Sequence, residues 1–114
     1  MRINIKATEL TLTPSIKTYI EEKIGSLSKF LGKFDQEGAV ETWVEIARTT
    51  KHHHKGPVFR AEADIRLPGR VIRGEREDTD IRKAIDGLKQ TLRLELAKYR
   101  TVHLLRRIIR RPYS

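Results

Sequence analysis

The sequence predicts one α+β domain with the element order β-α-β-β-β-α. In four short segments apolar and polar residues alternate, which is typical of strands with one buried face. In two longer segments apolar residues recur every three or four positions, which is typical of amphipathic helices. Because three strands follow one another along the chain, we expect a four-stranded, mainly antiparallel sheet with both helices packed on one face. A chain of 114 residues suits a single domain.

The first strand and the first helix open the chain. Residues 2–7 alternate, with Ile3, Ile5 and Ala7 on one face. Thr13 and Pro14 predict a helix start, because threonine caps helix N-termini and proline is tolerated at the first helical position. We expect this helix to end at Gly32. Its predicted apolar face comprises Ile16, Ile20, Leu27 and Leu31, with Ile24 and Phe30 flanking that face.

Three strands follow, predicted over residues 39–48, 58–67 and 70–75. The dipeptide Pro68-Gly69 predicts a tight turn between the last two of them. In the first of the three, Glu41, Trp43 and Glu45 share the outward face. The residues predicted to point inward are Val40, Thr42, Val44, Ile46, Ala61, Ala63, Ile65 and Leu67.

The last helix is predicted to start at residues 78–80, Asp-Thr-Asp, where acidic residues suit the positive end of the helix dipole. Its buried face comprises Ile81, Ile85, Leu88, Leu92, Leu96 and Tyr99. We divide the chain into a domain over residues 1–100 and a basic C-terminal extension over 101–114. The extension either prolongs the helix or stays disordered until it meets RNA.

Positive charge is concentrated at the C-terminal end. Residues 89–114 contain eight Lys or Arg and one acid, so they carry +7 of the formal net charge of +9. Such an asymmetry indicates a polyanionic partner, because clustered cations release counterions when they meet phosphates. The chain has no cysteine and no apolar run long enough to span a membrane. We expect a cytoplasmic protein.

A helical wheel places Arg82, Lys89, Arg93 and Arg100 in one cationic stripe beside the apolar face of the last helix. At 1.5 Å per residue the stripe is about 27 Å long. Asp86 lies among these cations and is predicted to hold Lys89 or Arg82. The alternative is a solvated basic face that has no partner. Further cations on this helix and its extension are Lys83, Lys98, Arg107 and Arg111.

The first helix adds Lys17, Lys23, Lys29 and Lys33. Lys23 falls near the middle of the apolar arc, where an unpaired ammonium would be costly. Its stem either snorkels past the edge of the core or points into the groove between the two helices. The second arrangement would place Lys23 beside the cationic stripe.

Other candidate sites are weaker. His52, His53 and His54 suggest a metal, but adjacent residues of an extended segment diverge and no second cluster supplies ligands. We expect them on a loop with Lys51 and Lys55, which can touch phosphate. Trp43 either stacks on a base or packs against a neighbour. Since no nucleophile motif, phosphate loop or paired carboxylates emerge, we expect no enzyme and no cofactor.

Two ordered motifs, one in the last helix and one at the start of the chain, are characteristic of a known family. One motif is the run from Asp80 to Leu88, Asp-Ile-Arg-Lys-Ala-Ile-Asp-Gly-Leu, followed by Leu92, Leu96, Lys98 and Arg100. The other is the opening, with Ile-Asn-Ile at 3–5, Leu-Thr-Pro at 12–14, Tyr-Ile-Glu-Glu-Lys at 19–23 and Leu-Ser-Lys-Phe at 27–30. Together these motifs resemble the ribosome hibernation-promoting factors, also called ribosome-associated inhibitors, protein Y or sigma-54 modulation proteins. The resemblance covers roughly residues 1–100.

The resemblance implies a shape similar to double-stranded RNA-binding domains and a site in the decoding channel of the small ribosomal subunit. There the domain would contact small-subunit rRNA and block mRNA and tRNA. The positions matching the family's rRNA contacts are Lys23, Lys29, Lys83, Lys89, Arg93, Lys98 and Arg100. Arg82, where an aromatic residue is common, and Glu95 depart from the family pattern. We expect a monomer off the ribosome, without a small-molecule substrate.

Three rival functions remain open from the sequence. The chain could be a generic binder of structured RNA. It could also be a peripheral protein of anionic membranes that uses residues 101–113 as an amphipathic anchor. A metal-dependent enzyme built on the histidine triplet is the third, and we do not favour it.

Overall fold

The computed structural model describes residues 1–32, 40–49 and 56–110, with side chains up to residue 102. The strands are β1 (Arg2–Thr8), β2 (Glu41–Thr49), β3 (Val58–Leu67) and β4 (Arg70–Asp78). The helices are α1 (Pro14–Gly25), a short 3-10 helix (Ser26–Phe30) and the long α2 (Ile81–Arg110). The predicted order β-α-β-β-β-α is confirmed.

The sheet has the order β1-β2-β3-β4. The β1–β2 pair is parallel, because α1 intervenes between these strands, and the other two pairs are antiparallel. Pro68 and Gly69 connect β3 to β4, and Gly69 has a φ of 78°. A proline followed by a residue with positive φ is the arrangement of a type II turn. Since two of the three strand pairs are antiparallel, the predicted mainly antiparallel sheet is confirmed.

Both helices bury their apolar faces against one face of the sheet. The predicted inward residues of β2 and β3 are all buried, and Trp43 points to the opposite, exposed face. The core combines side chains from both layers: Ile20, Ile24, Leu27, Val44, Ile46, Ala63, Ile65, Ile72, Ile85, Leu88, Leu92 and Leu96. The alternation and the helical spacing thus predicted the buried faces correctly.

The first helix does not continue to Gly32 as an α-helix. It ends at Gly25, and the chain tightens into the 3-10 segment. Glycine is a poor helix former, and the Ser26 hydroxyl donates a 2.7 Å hydrogen bond to the Lys23 carbonyl, which competes with the regular helix ladder. This segment still buries Leu27 and carries Lys29 on its exposed side.

Two other boundaries differ from the prediction. β4 runs three residues past Glu75, because the pairing with β3 continues to Asp78 opposite Phe59. α2 continues to Arg110. Residues 101–110 therefore prolong the helix, which is one of the two alternatives predicted for the extension. The division at residue 100 stays a prediction, since α2 crosses it without interruption. No helix in the described ranges combines the length and hydropathy needed to cross a bilayer.

Candidate nucleic-acid interface

The N-terminus of α2 is fixed by two aspartates. The Asp78 carboxylate accepts a 2.9 Å hydrogen bond from the Asp80 N–H. The Asp80 carboxylate then accepts bonds from the N–H groups of Arg82 and Lys83, at 2.8 and 3.4 Å. This is N-capping, which satisfies donors that have no partner within the helix. The capped helix sets the rotation of every later side chain on α2.

The cationic stripe defined by Arg82, Lys89, Arg93 and Arg100 lies on one continuous helix. Arg82, Arg93 and Arg100 are exposed, and Lys89 is half-buried. Lys89 has no ion-pair partner within the described part of the chain. Arg93 donates through Nε to the Gln90 side chain at 3.2 Å, which keeps its other guanidinium donors available. The stripe can therefore follow a row of phosphates.

Tyr19 of α1 joins the two helices at one end of the stripe. Its hydroxyl donates a 2.5 Å hydrogen bond to Oδ1 of Asp86. The Arg82 guanidinium carbon lies 4.9 Å from the centroid of the Tyr19 ring, and Lys23 Nζ lies 5.4 Å from it. Both distances are within the range of cation–π contacts. Lys23 therefore lies against Tyr19 one turn earlier on α1, and Arg82 is the contact that comes from α2.

Arg82 is held by more than the ring. Its Nη2 donates a 3.0 Å hydrogen bond to the Ser15 hydroxyl at the start of α1. A guanidinium has five N–H donors, so contacts with one hydroxyl and one ring leave most of them for an anion. Arg82 is thus a preoriented cation beside Tyr19.

The ionisation state of Tyr19 follows from this geometry. The hydrogen bond to the Asp86 carboxylate raises the pKa of Tyr19 above its usual value of 10.0, and burial adds to the rise. Ionisation would remove the donated proton and place two anions side by side. The hydroxyl consequently stays a donor at neutral pH.

Other predicted contacts lie apart from the stripe. At about 100° per residue, Lys83 and Lys98 fall on other faces of α2. Lys98 forms an ion pair with Glu95 at 3.2 Å, so the acid that departs from the family pattern occupies a predicted phosphate contact. Lys29 is exposed on the 3-10 helix, with Nζ 5.3 Å from the Phe30 ring centroid.

Several predicted sites lie outside the described residues. These are Lys33, Lys51, the triplet of His52, His53 and His54, Lys55 and Arg111, together with the side chain of Arg107. Within the described part of the chain, no three His, Cys, Asp or Glu side chains are grouped as metal ligands would be.

Arg76 is a cationic residue that the sequence reasoning missed. Its stem crosses α2 at Gly87, where a Cβ would stand 3.1 Å from Arg76 Cγ. Its Nε donates a 3.0 Å hydrogen bond to the Thr91 hydroxyl. Arg76 shares its parity with Ile72 and Gly74, so alternation along a longer β4 would have placed it on the helix side of the sheet. It extends the positive surface along the β4 side of α2.

The outer face of the sheet has a different character. Among the described residues it presents five cations and six acids, which follow from the strand registers. The cations are Arg2, Lys6, Arg60, Arg66 and Arg73, and the acids are Glu41, Glu45, Glu62, Asp64, Glu75 and Glu77. Trp43 is 44% exposed there, with the Arg66 guanidinium carbon 5.3 Å from its ring centroid. The side chain of Trp43 is thus partly packed, and the positive surface belongs to the helical side.

Comparisons with known proteins agree on one family. A model of the family described as Sigma 54 modulation protein / S30EA ribosomal protein matches residues 3–103. The ribosome hibernation promotion factor of Lactococcus lactis subsp. cremoris is 28% identical over 103 residues, covering 89% of this chain and 50% of that protein. The factor of the same name from Staphylococcus aureus is 30% identical over 101 residues, covering 89% and 49%. The chain spans about half the length of these curated relatives.

Solved structures show the same fold. The N-terminal domain of Thermus thermophilus Protein Y superposes with a TM-score of 0.69 at 28% identity, covering 87% of this chain and 99% of that domain. A ribosomal subunit interface protein from Coxiella burnetii has a TM-score of 0.66 at 22% identity, covering 89% and 99%. The second likeness concerns the fold alone.

Proposed function

Since the chain belongs to the family described as Sigma 54 modulation protein / S30EA ribosomal protein, we propose that it is a ribosome-associated hibernation factor. It binds the small ribosomal subunit in the cytoplasm as a single copy and inhibits translation without catalysing a reaction. The observation that carries this proposal is the cationic stripe of α2, whose Arg82 contacts the ring of Tyr19 on α1, as Lys23 does. The relatives named ribosome hibernation promotion factor support the hibernation role.

The proposed mechanism is occupancy. The helical side lies along rRNA in the decoding channel, where the folded domain excludes mRNA and the tRNA anticodon. Lys23, Arg82, Lys89, Arg93 and Arg100 neutralise backbone phosphates, while Lys29, Lys83 and Lys98 make contacts at the margins. Such contacts recognise phosphate geometry and helix shape more than base sequence. No residue has to change its protonation state for binding to occur.

Salt dependence and matched variants test the site. If about six phosphates are neutralised, the logarithm of the affinity for purified small subunits falls against the logarithm of salt with a slope of about −4 to −5. The variant K89Q/R93Q/R100Q removes three stripe cations. We expect more than a tenfold loss of affinity and a slope less steep by about 2 to 3.

The control is K6Q/R66Q/R73Q, which has the same net charge but removes cations from the outer sheet face. We expect its affinity to stay within about threefold of the wild-type value, since non-contacting cations release no counterions. Equal losses in both variants would show that net charge, and not the stripe, governs binding. Binding that is independent of salt would refute the phosphate contacts altogether.

Competition separates the proposal from its rivals. An excess of duplex RNA should displace the protein from small subunits poorly, whereas a generic RNA-binding module would be displaced as readily as by added subunits. Flotation with anionic vesicles addresses the membrane alternative for residues 101–113. We expect no recovery in the lipid fraction, and efficient recovery would favour a peripheral membrane protein.

A further inference from the structure

Asp86 is an acid inside the cationic stripe. It lies four residues after Arg82 and three before Lys89, which are the helical separations at which opposite charges pair. Paired in that way, its carboxylate would neutralise a cation that the proposed function needs for phosphate. The structure gives Asp86 a different partner, the Tyr19 hydroxyl of α1.

Tyr19 redirects both members of the expected pair. Its hydroxyl donates to Asp86 Oδ1 at 2.5 Å, which turns the carboxylate toward α1. Its ring lies 4.9 Å from the guanidinium carbon of Arg82, and that guanidinium also donates to the Ser15 hydroxyl. Asp86 and Arg82 lie one turn apart on α2. Each of them thus contacts Tyr19 instead of forming an ion pair with the other.

We propose that Tyr19 is a positioning residue for phosphate binding: its hydroxyl holds Asp86 away from the stripe cations while its ring orients Arg82. This inference rests on the proposed function, because it assigns a role within the same binding surface. Without the hydroxyl, the Asp86 carboxylate is left beside Arg82 and Lys89 and pairs with one of them. A phosphate must then compete with that carboxylate for the cation.

A merely structural role gives a different pattern. If Tyr19 only fastened α1 to α2 through its bond to Asp86, D86N alone would also weaken binding, because an amide oxygen is a weaker acceptor than a carboxylate. In the positioning role, the loss of affinity comes from the released Asp86 carboxylate, which competes with phosphate for a cation. The loss must then disappear when the carboxylate is replaced by an uncharged amide. A double-mutant cycle separates these two patterns.

The experiment measures the affinity of purified small ribosomal subunits for the wild-type protein, Y19F, D86N and Y19F/D86N across a salt series. We expect Y19F to bind about three- to tenfold more weakly, D86N to bind as tightly as wild type or more tightly, and the double variant to match D86N. A variant that also removes the ring, Y19L/D86N, should bind more weakly than D86N, because Arg82 loses its support.

An equal loss from Y19F in both backgrounds, or no loss in either, overturns the positioning role while leaving the proposed function intact. Failure of the wild-type protein to bind the subunits refutes the proposed function itself. The contact is also checked in the free protein by titrating Tyr19 spectroscopically. D86N should lower the pKa of Tyr19, and an unchanged pKa would show that the hydroxyl does not bond to Asp86.

Discussion

Three glutamates face one another across the outer sheet face. The strand registers place Glu45 opposite Glu62 and Glu62 opposite Glu75. Like charges in directly opposed positions destabilise a sheet. The Arg60 guanidinium reaches Glu62 at 3.4 Å and Glu75 at 3.7 Å, and the Thr8 hydroxyl donates to Glu45 at 2.7 Å. The repulsion among these three glutamates therefore depends on whether Glu62 is protonated.

The two central glutamates have pKa values that move in opposite directions. The hydrogen bond from Thr8, followed by that from Glu62, lowers the pKa of Glu45 below its usual 4.5. Burial, followed by the hydrogen bond to Glu45, raises the pKa of Glu62. For Glu62, whose pKa is raised, the contribution to stability is complete below the pKa of the unfolded chain and is lost as pH rises through the folded pKa. For Glu45, whose pKa is lowered, the contribution is complete above the pKa of the unfolded chain and is lost as pH falls through the folded pKa. The pair is thus most favourable between its two folded pKa values, near pH 4.5.

The substitution E62Q tests this account at the level of one residue. An amide at position 62 donates to Glu45 without carrying a charge, so we expect the free energy of unfolding at pH 7 to rise by about 0.2–1 kcal/mol. The gain should shrink near pH 4.5, where the raised pKa leaves Glu62 of the wild type more protonated than at pH 7. Urea denaturation at both pH values measures it. The control E41Q replaces a glutamate opposite Arg66 and should give no gain; a similar gain from E41Q would contradict the explanation.

The packing of α2 against β4 depends on a glycine in the strand. A Cβ on Gly74 would stand 3.1 Å from Leu92 Cδ2, 3.2 Å from Leu88 Cδ1 and 3.3 Å from Thr91 Cγ2. Leu88 and Leu92 are fully buried and cannot move aside freely. The missing side chain therefore allows α2 to approach the sheet and sets the position of the stripe relative to α1.

At the scale of elements we predict that G74A lowers the free energy of unfolding by about 1–3 kcal/mol, because it overpacks this interface. G87A is the matched control, since its Cβ meets the flexible stem of Arg76 at 3.1 Å. Glycine is about 1 kcal/mol less favourable than alanine within a helix, so we expect G87A to be neutral or stabilising by up to about that amount. Urea denaturation compares the two variants, and equal destabilisation would mean that the packing around Gly74 is no tighter than that around Gly87.

The molecule as a whole has two dissimilar faces. The helical side carries the stripe, Lys23 and Arg76, while the described residues of the outer sheet face carry nearly equal numbers of cations and acids. This separation follows from the architecture, because both helices lie on one side of the sheet. Long-range attraction to a polyanion consequently turns the helical side of the domain toward that polyanion.

The single tryptophan of the chain reports on this orientation. Trp43 lies on the outer sheet face, partly covered by Arg66. We predict that binding to small subunits leaves the 19F chemical shift of a 5-fluorotryptophan at position 43 unchanged, because the helical side makes the contact in the proposed binding mode. 19F NMR provides the measurement, since tryptophans of ribosomal proteins would obscure the fluorescence of Trp43. A shift of the Trp43 resonance on binding would instead support stacking of Trp43 on a base.

The features determined by the sequence alone are those that depend on neighbouring residues. Thr13 and Asp80 each cap a helix by accepting a hydrogen bond from a backbone N–H two or three residues further along the chain. Periodicity places each side chain on one face of its helix or strand. The element order, the buried faces and the alignment of the stripe were predictable for this reason. The end of α1 was not, because a local competition between Gly25, Ser26 and the helix ladder decided it.

Tertiary structure decided the features that join distant parts of the chain. The parallel pairing of β1 with β2, the last residues of β4 and the path of Arg76 over Gly87 all arise from contacts between separate elements. The sequence predicted that Asp86 would hold a cation of its own helix, whereas the fold gave it Tyr19, 67 residues away. Periodicity specifies the direction of a side chain but not the element that it meets. The cationic stripe was therefore predictable from the sequence, whereas the contacts of Tyr19 with Arg82 and Asp86 exist only in the folded domain.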